Sequence, residues 1–150
     1  MIGPQEILIV KLTLALATLF AAVSVLSAAD ATFVGHAQVA EALAKGGSLV
    51  KSETYIVSGS HRDKNGQVEV HEKETDVIYV QDGTATFVTG GKMVGGKQTT
   101  PGQFLGTSIE GGVTHHLVKG DVVVVPAGTP HWFREVPGTI SYFVVKVVKP

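Results

Sequence analysis

The sequence predicts an all-β fold, a small barrel or sandwich of antiparallel strands with one short helix packed outside it. From Leu49 onward, short apolar stretches, many of them alternating with polar residues, are separated by turns that contain glycine. Before them, apolar residues from Phe33 to Lys45 recur with helical spacing, and Gly46-Gly47 ends the pattern. With 150 residues, of which 44% are hydrophobic, the chain is long enough for one domain with a substantial core.

The first 29 residues have the composition of an export signal. Lys11 precedes the apolar run from Leu12 to Leu26, and the small residues 27–29 follow it. This order predicts a signal peptide over residues 1–29, cleaved after Ala29, and a domain over residues 30–150. A retained N-terminal anchor is the alternative, because the apolar stretch is long enough to span a bilayer. Both interpretations predict a periplasmic or secreted domain.

The composition argues against several classes of partner. The formal net charge is −1, and it stays −1 without residues 1–29, so nothing attracts nucleic acid or an anionic membrane surface. Cysteine is absent, so an exported domain would depend on packing rather than on disulfides. We expect small-molecule partners, no nucleic acid, and no membrane contact beyond the N-terminal anchor.

Strands and turns alternate along the domain. Strands are predicted at residues 55–58, 67–71, 77–80, 85–88, 115–118, 122–125 and 139–148. Residues 63–66, Asp-Lys-Asn-Gly, predict a hairpin turn because Asn-Gly tolerates positive φ, and residues 72–74 predict a solvated corner. Residues 90–112 contain eight glycines and predict a long irregular excursion, with a short strand near 103–105.

The stretch from Gly120 to Glu135 carries the strongest signal. Its valine run, Val122 to Val125, predicts a buried strand, and the sequence Pro-Ala-Gly-Thr-Pro that follows predicts a sharp corner. His131 comes directly after the corner, at the start of the next strand. A histidine in this position is placed as a ligand would be. In a second stretch, Glu69 and His71 stand two residues apart on a strand and therefore share one face.

Both stretches resemble motifs of the cupin superfamily. The second cupin motif, G-x5-P-x-G-x2-H-x3-N, is matched by Gly120, Pro126, Gly128 and His131, with Glu135 in place of Asn. The first motif, G-x5-H-x-H-x3,4-E-x6-G, is matched in part by His71 and Gly83, while Glu69 replaces the first histidine, Asp76 replaces Glu, and the opening Gly is missing. The resemblance spans roughly residues 49–148. It implies a single-domain jelly-roll barrel of two antiparallel sheets, and by family analogy a homodimer.

Carried onto this sequence, the resemblance implies a metal site formed by Glu69, His71, Asp76 and His131. Two imidazoles and up to two carboxylates suit a divalent transition metal: Fe, Mn, Zn, Ni or Co. Binding by His71, Asp76 and His131 alone would leave open positions, as oxygen-activating iron enzymes require. The alternative for each residue is a solvent-facing position on a strand.

Two functions remain open at this stage. The first is a metal-dependent oxygenase, isomerase or lyase for a small organic molecule, in which Glu69 or Glu135 moves a proton. The second is a non-catalytic cupin that binds a metal or a small ligand as a sensor. At most one of His115 and His116 can line the interior, because adjacent strand residues face opposite sides. A hydrogen-bonded or exposed position outside the site is expected for both. Arg62 would suit a carboxylate ligand, but a solvated hairpin end is expected there.

Overall fold

The computed structural model describes residues 30–150, and the predicted signal peptide lies outside them. The described chain contains one helix and thirteen strands. These elements are α1 His36–Lys45, β1 Gly47–Lys51, β2 Tyr55–Arg62, β3 Val68–His71, β4 Glu74–Gly83, β5 Ala85–Thr89, β6 Lys92–Val94, β7 Lys97–Thr100, β8 Gln103–Gly106, β9 Ser108–Glu110, β10 Val113–Leu117, β11 Val122–Val125, β12 His131–Glu135 and β13 Ile140–Val148. Over these residues, no helix has the length and hydropathy needed to cross a membrane.

Two antiparallel sheets form the body of the domain. One sheet has five strands in the order β1-β2-β13-β4-β11, and the other has six in the order β10-β5-β12-β3-β8-β7. Strands β6 and β9 pair with each other separately. Side chains from both sheets pack into one apolar core. The predicted all-β class, a jelly-roll barrel with a short N-terminal helix, is confirmed.

The core is built around three aromatic rings from three strands. The Phe87 ring centroid lies 4.6 Å from that of Phe133, which lies 4.9 Å from that of Tyr142 in a stacked arrangement. Ile78 and Ile140 pack in the same cluster and are almost completely buried. Full burial of one such side chain stabilises the fold by about 1.5–3 kcal/mol. This cluster holds the two sheets together in the barrel interior.

The helix packs on the outer face of the five-stranded sheet through a glycine. Ala42 is buried, and a Cβ atom added at Gly59 of β2 would lie 2.7 Å from the Ala42 carbonyl carbon. Only glycine therefore permits this approach of helix to strand. The predicted helix is confirmed, although it begins at His36 rather than at Phe33, which is exposed.

The predicted hairpin at residues 63–66 is wrong. Strands β2 and β3 belong to different sheets, so the segment crosses from one sheet to the other. Neither Asn65 nor Gly66 has a positive φ, which the predicted turn requires. Instead, the Asn65 Oδ1 atom accepts a hydrogen bond of 2.8 Å from the Val136 N–H, and the Gly66 N–H donates one to the Phe133 carbonyl. These two hydrogen bonds connect the crossing segment to β12 and to Val136, which follows it.

The excursion at residues 90–112 is more regular than the sequence suggests. It contains four short strands, β6 to β9, and β8 pairs with β3 over its whole length. The short strand expected near residues 103–105 is therefore present, but it extends the six-stranded sheet. Its glycines permit positive φ at the turns, for example at Gly102, where φ is 76°. This pairing brings Gln103 opposite His71.

Candidate metal centre

Three strands bring the four predicted ligands together. Strand β3 supplies Glu69 and His71, and its neighbour β12 supplies His131, which stands directly opposite Glu69. Asp76 comes from β4 in the other sheet, so the cluster joins the two sheets. The Gly128 N–H donates a hydrogen bond of 2.7 Å to the His71 carbonyl, and Gly128 has a φ of 82°. The corner before β12 is therefore fixed to β3, which sets the position of His131.

The ring of His71 is oriented by Gln103. The His71 Nδ1 atom contacts the Gln103 amide oxygen, and the Gln103 amide nitrogen donates to Glu74 Oε1 at 3.1 Å. Because a carboxylate accepts only, the amide nitrogen faces Glu74 and the amide oxygen faces His71. Nδ1 therefore carries the proton, and Nε2 keeps its lone pair. Within the described residues, the buried Nε2 atom has no hydrogen-bond partner.

The ring of His131 has the same orientation toward the cluster. Its Nδ1 atom lies 3.2 Å from the Thr129 carbonyl oxygen, which can only accept, so Nδ1 is the donor. The Nε2 atom again keeps its lone pair. The side chain is buried, and burial lowers the pKa of His131, which favours the neutral ring that a metal ligand requires.

Each of the two carboxylates places an oxygen close to both imidazole Nε2 atoms. Glu69 Oε2 lies 3.5 Å from His71 Nε2 and 3.9 Å from His131 Nε2. Asp76 Oδ2 lies 3.6 Å and 3.8 Å from the same two nitrogens. Ligand atoms bonded to a tetrahedral metal at about 2.1 Å are about 3.4 Å apart. The donor set and its spacing therefore fit a divalent transition metal. Two groups of three residues could hold one: Glu69, His71 and His131, or His71, Glu74 and Asp76.

Glu69 is held as a carboxylate by its neighbours. Arg62 Nη2 donates to Glu69 Oε1 at 3.1 Å, which leaves Oε2 directed at the two imidazoles. Burial would raise the pKa of Glu69, but His71, His131 and Arg62 outweigh that effect and lower the pKa to about 2. The carboxylate is therefore ionised at any physiological pH, as a metal ligand must be.

The pKa of His71 is affected in the opposite direction from that of His131. Burial would lower the pKa of His71, but the adjacent carboxylates of Glu69 and Asp76, with Gln103, leave it raised. The two histidines thus differ in their affinity for a proton in the metal-free protein. A metal bound between them would compete with a proton mainly at His71.

Lys146 shares Asp76 with the cluster. Its Nζ atom lies 2.8 Å and 2.9 Å from the two oxygens of Asp76 and 3.0 Å from Glu74 Oε2. The side chain of Asp76 is 6% exposed, so its charge needs this partner. Asp76 is therefore less available to a metal than Glu69. The expected solvated corner at residues 72–74 is wrong for Glu74, which lies half-buried beside Lys146 and Gln103.

Glu135 lies outside this cluster. Its Oε2 atom accepts a hydrogen bond of 2.9 Å from Thr86, and its side chain is 59% exposed. If side chains alternated strictly between the two faces of β12, Glu135 would face inward, as His131 does. The pairing of β12 with β5 instead contains a bulge, in which Phe133 pairs with Phe87, Glu135 pairs with Thr86, and Arg134 is the extra residue. The bulge turns Glu135 outward.

His115 and His116 of β10 also lie outside the cluster. His115 Nε2 lies 2.9 Å from Thr89 Oγ1, and His116 is exposed, in agreement with the expectation for this pair. Arg62, expected at a solvated hairpin end, instead points into the barrel and contacts Glu69 and Tyr142. Sequence reasoning missed Gln103, Glu74 and Lys146. The sequence contained one indication of the role of Lys146. It is the single charged residue in an apolar strand, and it lies an even number of positions from Tyr142, so the two share a face.

A cavity of about 140 Å³ adjoins the cluster inside the barrel. Glu69, Asp76 and His131 line one side of it. Its other walls come from both sheets and combine apolar residues with Arg62 and Tyr142. The candidate metal centre therefore faces a partly open cavity of the barrel.

Comparison with known proteins agrees with this architecture. A protein from Klebsiella pneumoniae described as having a double-stranded β-helix domain is similar over 79% of this chain and 91% of its own, with a TM-score of 0.53 and 15% identity. A protein from Bacillus halodurans is similar over 83% of this chain and 86% of its own, with a TM-score of 0.56 and 12% identity. At these identities the similarity concerns the fold alone. Among curated proteins, none matches the sequence significantly.

The two sheets and the motifs at their junction define a cupin-type barrel. The cupin family profile matches residues 35–149, which is most of the chain. The chain belongs to the cupin family. The resemblance inferred from Gly120, Pro126, Gly128 and His131 is thereby confirmed.

Proposed function

We propose that this protein is a divalent-metal-binding cupin in which Glu69, His71 and His131 hold the metal. The observation that carries the proposal is the buried His71 Nε2 atom, which has no hydrogen-bond partner among the described residues and faces Glu69 Oε2. An unsatisfied buried nitrogen is costly unless something binds it. The His131 Nε2 lone pair is directed at the same point.

Asp76 is the candidate fourth ligand. Its Oδ2 atom is within 3.8 Å of both imidazole nitrogens, but both of its oxygens also accept hydrogen bonds from Lys146. We therefore assign Glu69 as the principal carboxylate and Asp76 as a weaker ligand. Imidazole with carboxylate, without thiolate, suits Fe, Mn, Zn, Ni or Co.

Catalysis is proposed for this site because three protein ligands leave coordination positions free. A metal held there would supply a Lewis acid that polarises an oxygen of a small organic molecule. The barrel interior would shield the molecule from bulk water, and Arg62 would keep Glu69 oriented. An oxygenase, an isomerase or a lyase would each use these features. Of the candidate proton carriers, Glu69 adjoins the metal position, whereas Glu135 is exposed and bound to Thr86.

A non-catalytic metal-binding or ligand-sensing cupin is the second candidate. It is favoured by the pairing of the charged groups around the cavity: Glu69 is bound by Arg62, and Lys146 by Asp76 and Glu74. Water-proton relaxation of the Mn²⁺-loaded protein distinguishes the two candidates. Rapidly exchanging bound water favours the enzyme, and a closed coordination shell favours the sensor.

Metal analysis of protein purified without a histidine tag tests the site itself. We expect one divalent metal per chain in the wild type and a loss of metal in His71→Ala and in His131→Ala. His36→Ala, which removes an exposed helical histidine, is the matched control and should keep the metal. Full metal content in both site variants would show that other residues are the ligands.

Export and self-association complete the proposal. The composition of residues 1–29 supports secretion or periplasmic location, and an intact mass corresponding to a chain that begins at Asp30 would support cleavage. Membership in the cupin family, together with the apolar outer face described below, supports a homodimer.

A further inference from the structure

The size of the internal cavity limits what it can bind. Its volume is about 140 Å³, and Ile78, Phe133 and Val144 supply apolar walls. In another protein, an apolar cavity of about 150 Å³ accommodates benzene, a ligand of about six non-hydrogen atoms. A molecule of similar size therefore fills this cavity, which is partly open to solvent. Drug-sized ligands, which occupy roughly 300–1,000 Å³, do not fit within it.

The charges around the cavity limit the ligand further. Glu69, Glu74 and Asp76 contribute three negative charges, and Arg62 and Lys146 contribute two positive charges within the connected ion pairs. The metal-free site therefore carries a net negative charge when both histidines are neutral. Binding of a divalent cation reverses the balance and leaves one uncompensated positive charge. Since an unpaired charge in a partly buried site is unfavourable, the loaded site favours a ligand with a single negative charge.

Arg62 has the donors that such a ligand needs. Among the described residues its guanidinium makes two hydrogen bonds, one from Nε to the Tyr142 hydroxyl at 2.9 Å and one from Nη2 to Glu69. Guanidinium has five N–H donors, so the remaining ones are free to bind an anion. The group also lies over the Phe133 ring, 4.8 Å from its centroid, which fixes its plane. Lys146, by contrast, uses its ammonium group on Asp76 and Glu74.

We infer that the metal-loaded site binds a small monocarboxylate of about six non-hydrogen atoms, with its carboxylate on Arg62 beside the metal position. The inference rests on the proposed function, because the charge balance requires the metal. It also predicts an order of binding, in which the metal enters first and the carboxylate follows. The metal-free protein should not retain the anion.

Titration of the Co²⁺-loaded protein with pyruvate tests the inference, since the visible absorption of Co²⁺ reports changes near the metal. Pyruvate should change the spectrum saturably, and diacetyl, a neutral ketone of the same size, should bind at least about tenfold more weakly because it cannot use the charged donors of Arg62. Phenylpyruvate, which exceeds the cavity, should not bind. Calorimetry of the metal-free protein with pyruvate should show no binding.

Two variants test separately how the charge of Arg62 and the volume of the cavity affect pyruvate binding. Arg62→Gln, studied at saturating Co²⁺ after its metal affinity has been measured, should weaken pyruvate binding about tenfold or more. Val144→Leu keeps every charge and narrows the cavity, so it should weaken pyruvate binding while leaving Co²⁺ affinity unchanged. If Arg62→Gln does not fold, Val144→Leu still tests whether the cavity volume limits pyruvate binding. The comparison of pyruvate with diacetyl still tests whether the negative charge of the ligand is needed.

The outcomes distinguish this inference from the proposed function. If the wild type binds Co²⁺ but not pyruvate, or binds pyruvate, diacetyl and phenylpyruvate equally well, the monocarboxylate inference is overturned and the metal site stands. Unchanged pyruvate affinity in Arg62→Gln overturns the role of Arg62. If the wild type binds no Co²⁺, both proposals fail.

Discussion

Gln103 shows how one uncharged side chain can determine what a site binds. Its amide bridges His71 and Glu74, so the His71 tautomer follows from which end of the amide faces the ring. The bridge also connects the candidate ligand to the Glu74–Lys146 ion pair. A hydrogen bond to the distal nitrogen of a histidine ligand typically orients the ring and increases its basicity.

Replacing Gln103 with Leu should therefore weaken metal binding without removing a ligand. We expect a loss of affinity of about 10- to 100-fold, measured by competition with a chelator. The ¹⁵N chemical shifts of His71 in the metal-free protein should show that the proton no longer resides mainly on Nδ1. Gln98→Leu, at an exposed position of the neighbouring strand β7, is the control and should leave both observables unchanged. An unaltered tautomer in Gln103→Leu would contradict the assigned bridge.

Lys146 should stabilise the metal-free protein and oppose the metal. In Lys146→Met, Asp76 and Glu74 lose their cation, so we expect the free energy of unfolding to fall by about 3 kcal/mol. The freed Asp76 should then bind the metal more strongly, so that Zn²⁺ restores much of the lost stability. Urea unfolding with and without Zn²⁺ measures both effects.

Lys45→Met is the matched control for this experiment. Its ion pair with Glu41 on α1 is exposed, with 73% and 67% of the two side chains accessible. Loss of an exposed pair costs about 0–1 kcal/mol. A similar small loss in Lys146→Met, with no added effect of Zn²⁺, would show that the half-buried cation is not needed.

At the scale of whole elements, the contact between α1 and the five-stranded sheet depends on one missing side chain. Gly59→Ala would place a Cβ atom within 3.0 Å of Ala42 backbone atoms, so the helix or the strand must shift. We expect a destabilisation of about 1–3 kcal/mol, measured by chemical unfolding. The control is Gly138→Ala, where an added Cβ meets no atom within 4 Å. Equal stability of the two variants would show that the helix packs loosely.

The elements also show how far the sequence alone could lead. Strands with a clear valine or alternating pattern, such as β11 and β4, and the amphipathic α1 were predictable because local periodicity determines them. The predicted burial of β11 was wrong, since Val122 and Val124 are exposed on an edge strand. The turn at residues 63–66 was not, because the same Asn-Gly pair suits a hairpin or a crossover. The difference depends on Val136 and Phe133, which are about seventy residues away in sequence.

The candidate site was predictable to the same extent. Glu69, His71, Asp76 and His131 lie in two compact motifs, and the structure brings all four together. The residues that orient them, Gln103 and Lys146, come from strands whose pairing partners no local pattern reveals. The position of Glu135 could not be foreseen either, since a bulge leaves no clear mark in the sequence.

At the scale of the molecule, one outer surface is unusually apolar. On the five-stranded sheet, β11 is an edge strand, and Val122 and Val124 are 60% and 58% exposed. They pair with Tyr79 and Val77 of β4, so these side chains share the outer face. Apolar surface continuing to an unpaired sheet edge typically marks an interface.

We expect Val124→Lys to shift the proposed homodimer toward monomer. A charge at the interface would have to be desolvated, and sedimentation velocity over a range of protein concentrations should show at least about a tenfold weaker dimer. Val113→Lys is the control, because Val113 is equally exposed but lies on β10 of the other sheet. A wild type that is monomeric throughout would contradict the proposed dimer.

The bulge in β12 has a consequence for any comparison of this chain with its relatives. Because Arg134 is an extra residue opposite β5, Glu135, the last residue of β12, has changed faces. A homologue that lacks the insertion must be aligned with a one-residue gap at this point. Without the gap, Glu135, which faces solvent here, would be matched to a residue that faces the ligand space in the homologue. The alignment would then show a substitution of a functional residue where the two proteins differ only in strand register.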